Sequence, residues 1–279
     1  MVRRPAVAGQ FYDATERGLV RQIEASYRHN VGPGEVPPAP KAWPPGKPWA
    51  YVVPHAGYVF SGPVAAHAFL DIAKRGVPET VMIVGPSHHM IAHPVSVGTE
   101  DWRTPLGVAK VDVDLAKQFV GGAVAHSDED FAEEHSLEVE VPFMQHLAPA
   151  VKIVPIIMLD QSYASAKAVG ERLAQVIDKN RGRSLGVLAS TDFTHYESAA
   201  RAAAQDRHAL EAIERGSAEE LDRQVRGRDI SMCGPGPTMA VLEAFKPERT
   251  QLLKYANSAD AEYIKAMAEV VAYAAVRLA

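Results

Sequence analysis

The sequence predicts an α/β fold: a single domain with a central, largely parallel or mixed sheet and helices on both faces. Three observations carry this. Short apolar runs alternate with segments of helical periodicity, the pattern of layered α/β proteins. Three of those runs end in polar side chains able to bind metal: AYVVPHAG from Ala50, TVMIVGPSHH from Thr80 and SLGVLASTDFTH from Ser184. In open α/β sheets, sites form outside the carboxyl ends of the strands, so these three ends are expected to meet in one cleft. Finally, no clear linker divides the chain of 279 residues beyond a Pro- and Gly-rich stretch at 29–48, so 1–279 is read as one domain.

Met1 to Tyr12 (MVRRPAVAGQFY) reads as an arm packed on the core. Asp13 or Thr15 caps a helix through Ser26. His29 to Pro48 lacks periodicity and is a surface loop. The apolar run Tyr51–Val53 breaks at Pro54 and delivers His55 into a turn. Pro63 to Arg75 is helical, with proline at the first position and His67 as a packing residue. The strand Val81–Val84 completes a βαβ unit whose crossover is expected to be right-handed. His93 to Thr99 alternates into a strand, Asp101 to Leu106 is a turn, and Asp112 to Val120 is a short amphipathic helix. Ala132 to His146 is read as a helix kinked at Pro142, which places His135 and Glu138 on one face. Val151 to Leu159 is a strand and Ser162 to Lys179 a long helix. The strand Leu185–Ala189 follows, then helices Ser198–Arg215 and Ala218–Arg226. Ser231 to Pro237 (SMCGPGP) is a tight loop before a helix, Thr238–Phe245, and Leu252–Tyr255 is a strand. The tail Glu262–Leu278 is helical by its alanines, although Val270, Val271, Tyr273 and Val276 allow a strand.

The composition is that of an ordinary globular protein, 47% hydrophobic and 23% charged. A formal charge of −5 argues against nucleic-acid and anionic-membrane partners, which both call for a basic surface. No signal-peptide pattern follows Arg3 and Arg4, and no apolar run reaches membrane-spanning length. The single cysteine, Cys233, excludes an intrachain disulfide and fits a reducing cytoplasm.

The candidate ligands are His55, His88, His89, Asp192, His195 and Cys233, with His135 and Glu138 as outer members. Imidazole with carboxylate suits iron(II), manganese or zinc, and a thiolate shifts preference towards zinc or copper(I). Two histidines and one anion with open positions form the set by which non-haem iron meets oxygen and a substrate. His55 and His88 would supply the pair, and Cys233 or Asp192 the anion. That leaves His195 as acid or base and Asp192 to orient it. His88 and His89 adjoin on a turn, so only one is expected to face the cleft. A different chemistry, a cysteine hydrolase, would use Cys233 as nucleophile, His195 and Asp192 as base and orienter, and the Gly234 amide for an oxyanion. A third reading is a non-catalytic module whose cleft binds a peptide or small molecule.

The motifs RRPAVAGQFY (from Arg3), PHAGYVFSG, GPSHH, DWRTPLG, EHSLEVEVPF, STDFTHY and MCG span nearly the whole chain. Together they resemble the Memo family, which is related to class III extradiol dioxygenases. The resemblance implies an extradiol-dioxygenase-like α/β fold and a metal held by His55, His88 and Cys233. Iron is implied first, with copper or zinc as alternatives. Asp192 and His195 match further cleft residues of the family, His135 matches its EHS motif, and the tail is implied to be a strand. The resemblance also implies a redox or oxygenase-type activity, or binding of an unknown small molecule or peptide, and protein partners of radical-SAM and AMMECR type. Cys233 stands where extradiol dioxygenases carry a glutamate, which argues against ordinary catechol cleavage.

Overall fold

A computed structural model describes residues 1–261 and 268–278 of the chain. Its strands, among the described residues, are β1 (Val2–Arg3), β2 (Trp49–Val53), β3 (Thr80–Pro86), β4 (Val95–Val97), β5 (Asp101–Thr104), β6 (Gly107–Val111), β7 (Val124–His126), β8 (Lys152–Met158), β9 (Leu185–Ser190), β10 (His195–Glu197), β11 (Gln251–Asn257) and β12 (Val270–Arg277). The main sheet runs β1-β5-β6-β8-β3-β9-β2-β12-β10. Its centre, β6-β8-β3-β9-β2, is parallel. Antiparallel strands flank it, with β12 on β2 and β4 on β8. The sheet is therefore mixed.

The helices are α1 (Glu16–Arg28), α2 (Gly62–Arg75), α3 (Val113–Ala116), α4 (Glu140–Leu147), α5 (Tyr163–Lys179), α6 (Ala199–Glu214), α7 (Ala218–Gly227), α8 (Pro235–Phe245) and α9 (Ser258–Ala261). On one face α2 packs against β2 and β12, backed by α1 and α4. On the other, α8 packs against β2, β3 and β9 beneath α5 and α7. Covered on both faces, β2, β3 and β9 are buried at every position, which is why they read as unbroken apolar runs and not as alternating ones. Hydroxyl caps start the helices where the sequence places them: Thr15 Oγ1 accepts from the Gly18 amide, and Ser162 and Ser198 cap α5 and α6. His67 packs as expected, half-buried on α2 with its Nε2 against the Val31 carbonyl. No helix is long and apolar enough to cross a membrane among the described residues.

Four expectations are corrected. The expected turn at Asp101–Leu106 is a hairpin, β5 pairing with β6, because the bend is confined to the half-buried Pro105 and Leu106. The expected helix at Asp112–Val120 is one α turn, Val113–Ala116, continued as a 3-10 turn over Lys117–Phe119. The expected helix Ala132–His146 shrinks to Glu140–Leu147. Upstream, the Glu134 carboxylate accepts from the amides of His135 and Ser136, so a local side-chain bond replaces the helical start. Pro142 then sits in the first turn of α4, where its missing N–H costs nothing and no kink is needed. Finally, the tail is a strand, as the family resemblance implies and against its helical propensity. Part of the expected tail helix, 262–267, lies outside the described residues, but Val270–Arg277 pairs with both β2 and β11. The β-branched residues and the sheet ladder outweigh the helical propensity of alanine there.

Candidate metal centre

At the carboxyl ends of β2, β3 and β9 lies a cavity of about 780 Å³, lined by His55, His88, His135, Asp192, His195 and Cys233. Its walls are apolar: Phe11, Val59, Phe60, Tyr196, Val271 and Tyr273. A second hollow of about 600 Å³ lies by Trp43, Thr80 and Arg183 at the opposite strand ends, and no histidine or cysteine lines it. The donor chemistry therefore singles out the first cavity.

His55 follows β2 and is buried. Its amide donates to Asp192 Oδ1 (2.8 Å), and its Nδ1 lies 2.7 Å from Ser190 Oγ at the end of β9. Ser190 Oγ gives its own hydrogen to the Ser136 carbonyl (2.6 Å), so Nδ1 is the donor of the pair and Nε2 carries the lone pair, on the Cys233 side. His88 follows β3. Its amide and its Nδ1 both bond the buried Glu134 carboxylate, at 2.5 and 2.9 Å. A carboxylate on Nδ1 fixes the tautomer and raises the basicity of Nε2, the usual support of a metal-binding imidazole. Burial opposes the charge on Glu134, yet the bonds from His88 and the neighbouring imidazoles hold its pKa far below the carboxylate range. His135 stacks on His88 with ring centroids 4.4 Å apart and meets the Phe11 ring edge-on. Burial pushes its pKa down to about 4, so it is a neutral ligand-type imidazole at pH 7. One donor atom each from His55, His88 and His135 lie within 4.8 Å of one another.

Cys233 stands just outside that trio, on the His55 side. Its sulfur is 3.2 Å from His55 Nε2 and accepts the Asp192 amide at 3.1 Å. Burial first, and the Asp192 charge second, push its thiol pKa up, and a cation beside the sulfur would favour the thiolate. Burial lifts the Asp192 carboxyl to about 6, against the opposing influence of His195 and the His55 amide.

His195 stands across the cavity. Its Nδ1 donates to the Ser231 carbonyl at 2.9 Å and its amide to Ser231 Oγ, which leaves Nε2 free as a base. Here the sequence reading is corrected: Ser231, not Asp192, orients His195, since Asp192 Oδ1 is committed to the His55 amide. The hydrolase geometry fails too. The imidazole on the Cys233 sulfur is His55, and the Gly234 amide already donates to Thr191 Oγ1.

His89 does not line the cavity and sits by Glu133 (3.9 Å), so one of the adjacent pair faces inward, as expected. Glu138 also points elsewhere. It takes Arg3, Tyr12 and the amides of Ala6 and Val7, and so pins the N-terminal arm that brings Gln10 and Phe11 to the cavity rim. Without a helix, its spacing of three from His135 implies no shared face. Sequence reasoning missed Glu134, Ser190 and Ser231 as supports. Only Glu134 carried a signal, an acid directly before His135.

The Memo-like protein family model matches residues 3–277. A MEMO1 family protein of Ignicoccus hospitalis is 42% identical over 287 residues, covering 99% of this chain and 98% of that one. One of Methanopyrus kandleri is 41% identical over 292 residues, with 99% and 98% covered. One of Sulfurisphaera tokodaii is 37% identical over 283 residues, with 99% of each covered. The crystal structure of an uncharacterized Escherichia coli K12 protein superposes with a TM-score of 0.55 at 13% identity, over 84% of this chain and 100% of that one, which supports the fold alone.

Proposed function

This chain belongs to the Memo-like protein family, and from that premise we propose that His55, His88 and Cys233 hold a redox-active metal ion, iron(II) first, in a cleft that takes a small organic substrate. The observation that carries the proposal is the convergence of the three imidazoles with the Nδ1 atoms of His55 and His88 already engaged by Ser190 and Glu134. Those bonds leave Nε2 lone pairs facing one hollow, the state in which imidazole binds metal. Three neutral imidazoles would leave a divalent charge uncompensated in a buried site, whereas the Cys233 thiolate lowers it. His135 closes the other side as a neighbouring imidazole. Zinc and copper(I) suit the same thiolate-bearing set.

When bound, a redox ion with open positions supplies a Lewis-acidic, electron-exchanging centre for a substrate oxygen and O2. The chain's own residues do the rest. His195, its Nδ1–H held by the Ser231 carbonyl, takes or gives a proton at Nε2. The apolar walls exclude water. Among the described residues lining the cleft none is lysine or arginine, so an apolar-bodied, non-anionic substrate is the matching class.

The test is anaerobic iron(II) titration followed by metal analysis. Wild type is expected to take up one ion per chain, and His55→Ala and His88→Ala each to weaken uptake at least ~10-fold. Unchanged uptake in both variants overturns the proposal. A second reading, a non-catalytic cleft, is favoured by the exposed apolar rim of Val59 and Tyr196. Oxygen consumption by the iron-loaded protein that disappears in His195→Ala, with iron retained, decides against it.

A further inference from the structure

Buried tyrosines in this chain mostly tie their hydroxyl to the protein. Tyr12 donates to Glu138, Tyr51 to Asp71 and Tyr58 to the Val139 carbonyl. The Tyr27 hydroxyl has no partner and is sealed in the core. Tyr273 is a different case. It is 1% exposed, and its hydroxyl donates to no group among the described residues. Yet its oxygen is not one of the sealed, unpartnered atoms of the core. The space left for it is the cleft of about 780 Å³ that Tyr273 lines.

The strand β12 brings it there. Val271 and Tyr273 are two residues apart, so they share a face of the strand, and both line the cleft. Between them, the Ala272 backbone bonds Thr194 (2.9 Å) and Phe193 (2.8 Å), in the segment that carries Asp192 and His195. On β2 the antiparallel register sets Val276 opposite Val52; followed past the end of β2, it brings Tyr273 level with His55. We infer that the Tyr273 hydroxyl binds the substrate, donating a hydrogen bond to a carbonyl-type acceptor oxygen on the apolar body that the cleft takes. The inference rests on the reading of this cavity as a substrate cleft, and it does not depend on a bound metal.

The chemistry favours an acceptor. A phenol taken out of water without a partner loses the bond it had there, and a ligand oxygen restores it. Burial first, then the charges of Asp192 and Tyr196, push the Tyr273 pKa up, so the phenol keeps its hydrogen and donates it. Its ring supplies apolar wall and its hydroxyl a polar handle, which is how tyrosine orients a molecule that is apolar elsewhere. The substrate class narrows accordingly, from an apolar-bodied, non-anionic molecule to one that carries an accepting oxygen.

The probes are acetophenone and α-methylstyrene, alike in shape, the second with a methylene in place of the carbonyl oxygen. Both are titrated calorimetrically into the metal-free full chain, so that no ion competes for the carbonyl. Wild type is expected to bind both. Tyr273→Phe is expected to weaken acetophenone about 3- to 10-fold, the effect of one neutral hydrogen bond, and to leave α-methylstyrene unchanged. By infrared spectroscopy, the carbonyl stretch of acetophenone bound to wild type is expected below its value in hexane, and near that value in the variant. The variant is expected to unfold in urea at the wild-type midpoint, because the hydroxyl serves no partner in the protein. Unchanged acetophenone affinity, equal weakening of both probes, the same stretch in both proteins or a lowered urea midpoint overturns the inference and leaves the cleft reading intact. Binding of neither probe by wild type contradicts the substrate cleft itself, and the inference with it.

Discussion

Removing the Glu138 side chain is expected to loosen the N-terminal arm and cost a large share of the stability. The carboxylate is fully buried and takes Arg3 Nη1 at 2.6 Å, the amides of Ala6 (2.7 Å) and Val7 (3.1 Å), and the Tyr12 hydroxyl. Glu138→Ala leaves all four donors without that acceptor. Breaking a buried ion pair by deleting one partner costs about 3–5 kcal/mol. Two facts bracket the value here. The Arg3 guanidinium keeps the carbonyls of Phe131 and Glu134, at 2.7 and 2.6 Å, which holds the cost of the orphaned charge down. The two amides and the phenol push it up by roughly 1 kcal/mol each where water cannot reach them. About 4 kcal/mol is therefore expected, against a total of roughly 5–15 kcal/mol for a folded domain. Equilibrium urea unfolding, followed by circular dichroism, measures it, and the midpoint of thermal unfolding should fall on the order of 10 °C. Because the arm places Phe11 against His135, iron(II) affinity should fall in the same variant even where it is folded. A stability loss under about 1 kcal/mol, or an arm equally protected from protease in the variant, would refute the reasoning.

Further outcomes follow from the same geometry. At Gly234 an added Cβ would lie 2.5 Å from the Ser190 carbonyl oxygen and 2.7 Å from Thr191 Cβ, both backbone-anchored. Gly234→Ala should displace the neighbouring Cys233, cost about 1–3 kcal/mol in urea unfolding and weaken metal uptake; unchanged uptake would contradict this. His135 titrates at about 4 in the fold against an ordinary 6.5, so below that ordinary value the unfolded chain binds more protons. The stability this provides is present above about pH 6.5 and is lost as the pH falls towards 4, at most about 3 kcal/mol. Asp192, lifted to about 6, has the opposite sign: it costs stability above its pKa and returns it as the pH falls through that value. Urea unfolding of metal-free protein in pH steps should show His135→Gln with a flatter or inverted dependence between pH 6.5 and 4, and a slope equal to wild type would contradict the assignment.

Much of the fold was legible because the central strands are buried on both faces. Their apolar runs, followed by helical periods, leave little alternative to α/β layering. The ends of those runs also marked His55, His88, Asp192 and His195, all of which line one cavity. What was hidden depended on long-range partners. Ala132–His146 looks helical by composition, but the buried Glu134 and Glu138 serve His88 and Arg3, residues 46 and 135 positions away, and that demand reshapes the segment. The tail looks helical until β2 and β11 offer ladder partners. Asp192 looked like an orienter of His195 because the two are close in sequence. The fold gave that task to Ser231, 36 residues on, in a loop with no periodic signal.

The central claim is that one ion sits between His55 and His88. Anomalous diffraction at the iron edge, from crystals of protein loaded with iron(II) under anaerobic conditions, tests it most directly. A single peak about 2.0–2.2 Å from Nε2 of both rings, with the Cys233 sulfur at about 2.3 Å, is the predicted result. A peak elsewhere, or none in crystals whose dissolved protein carries one iron per chain, would contradict it.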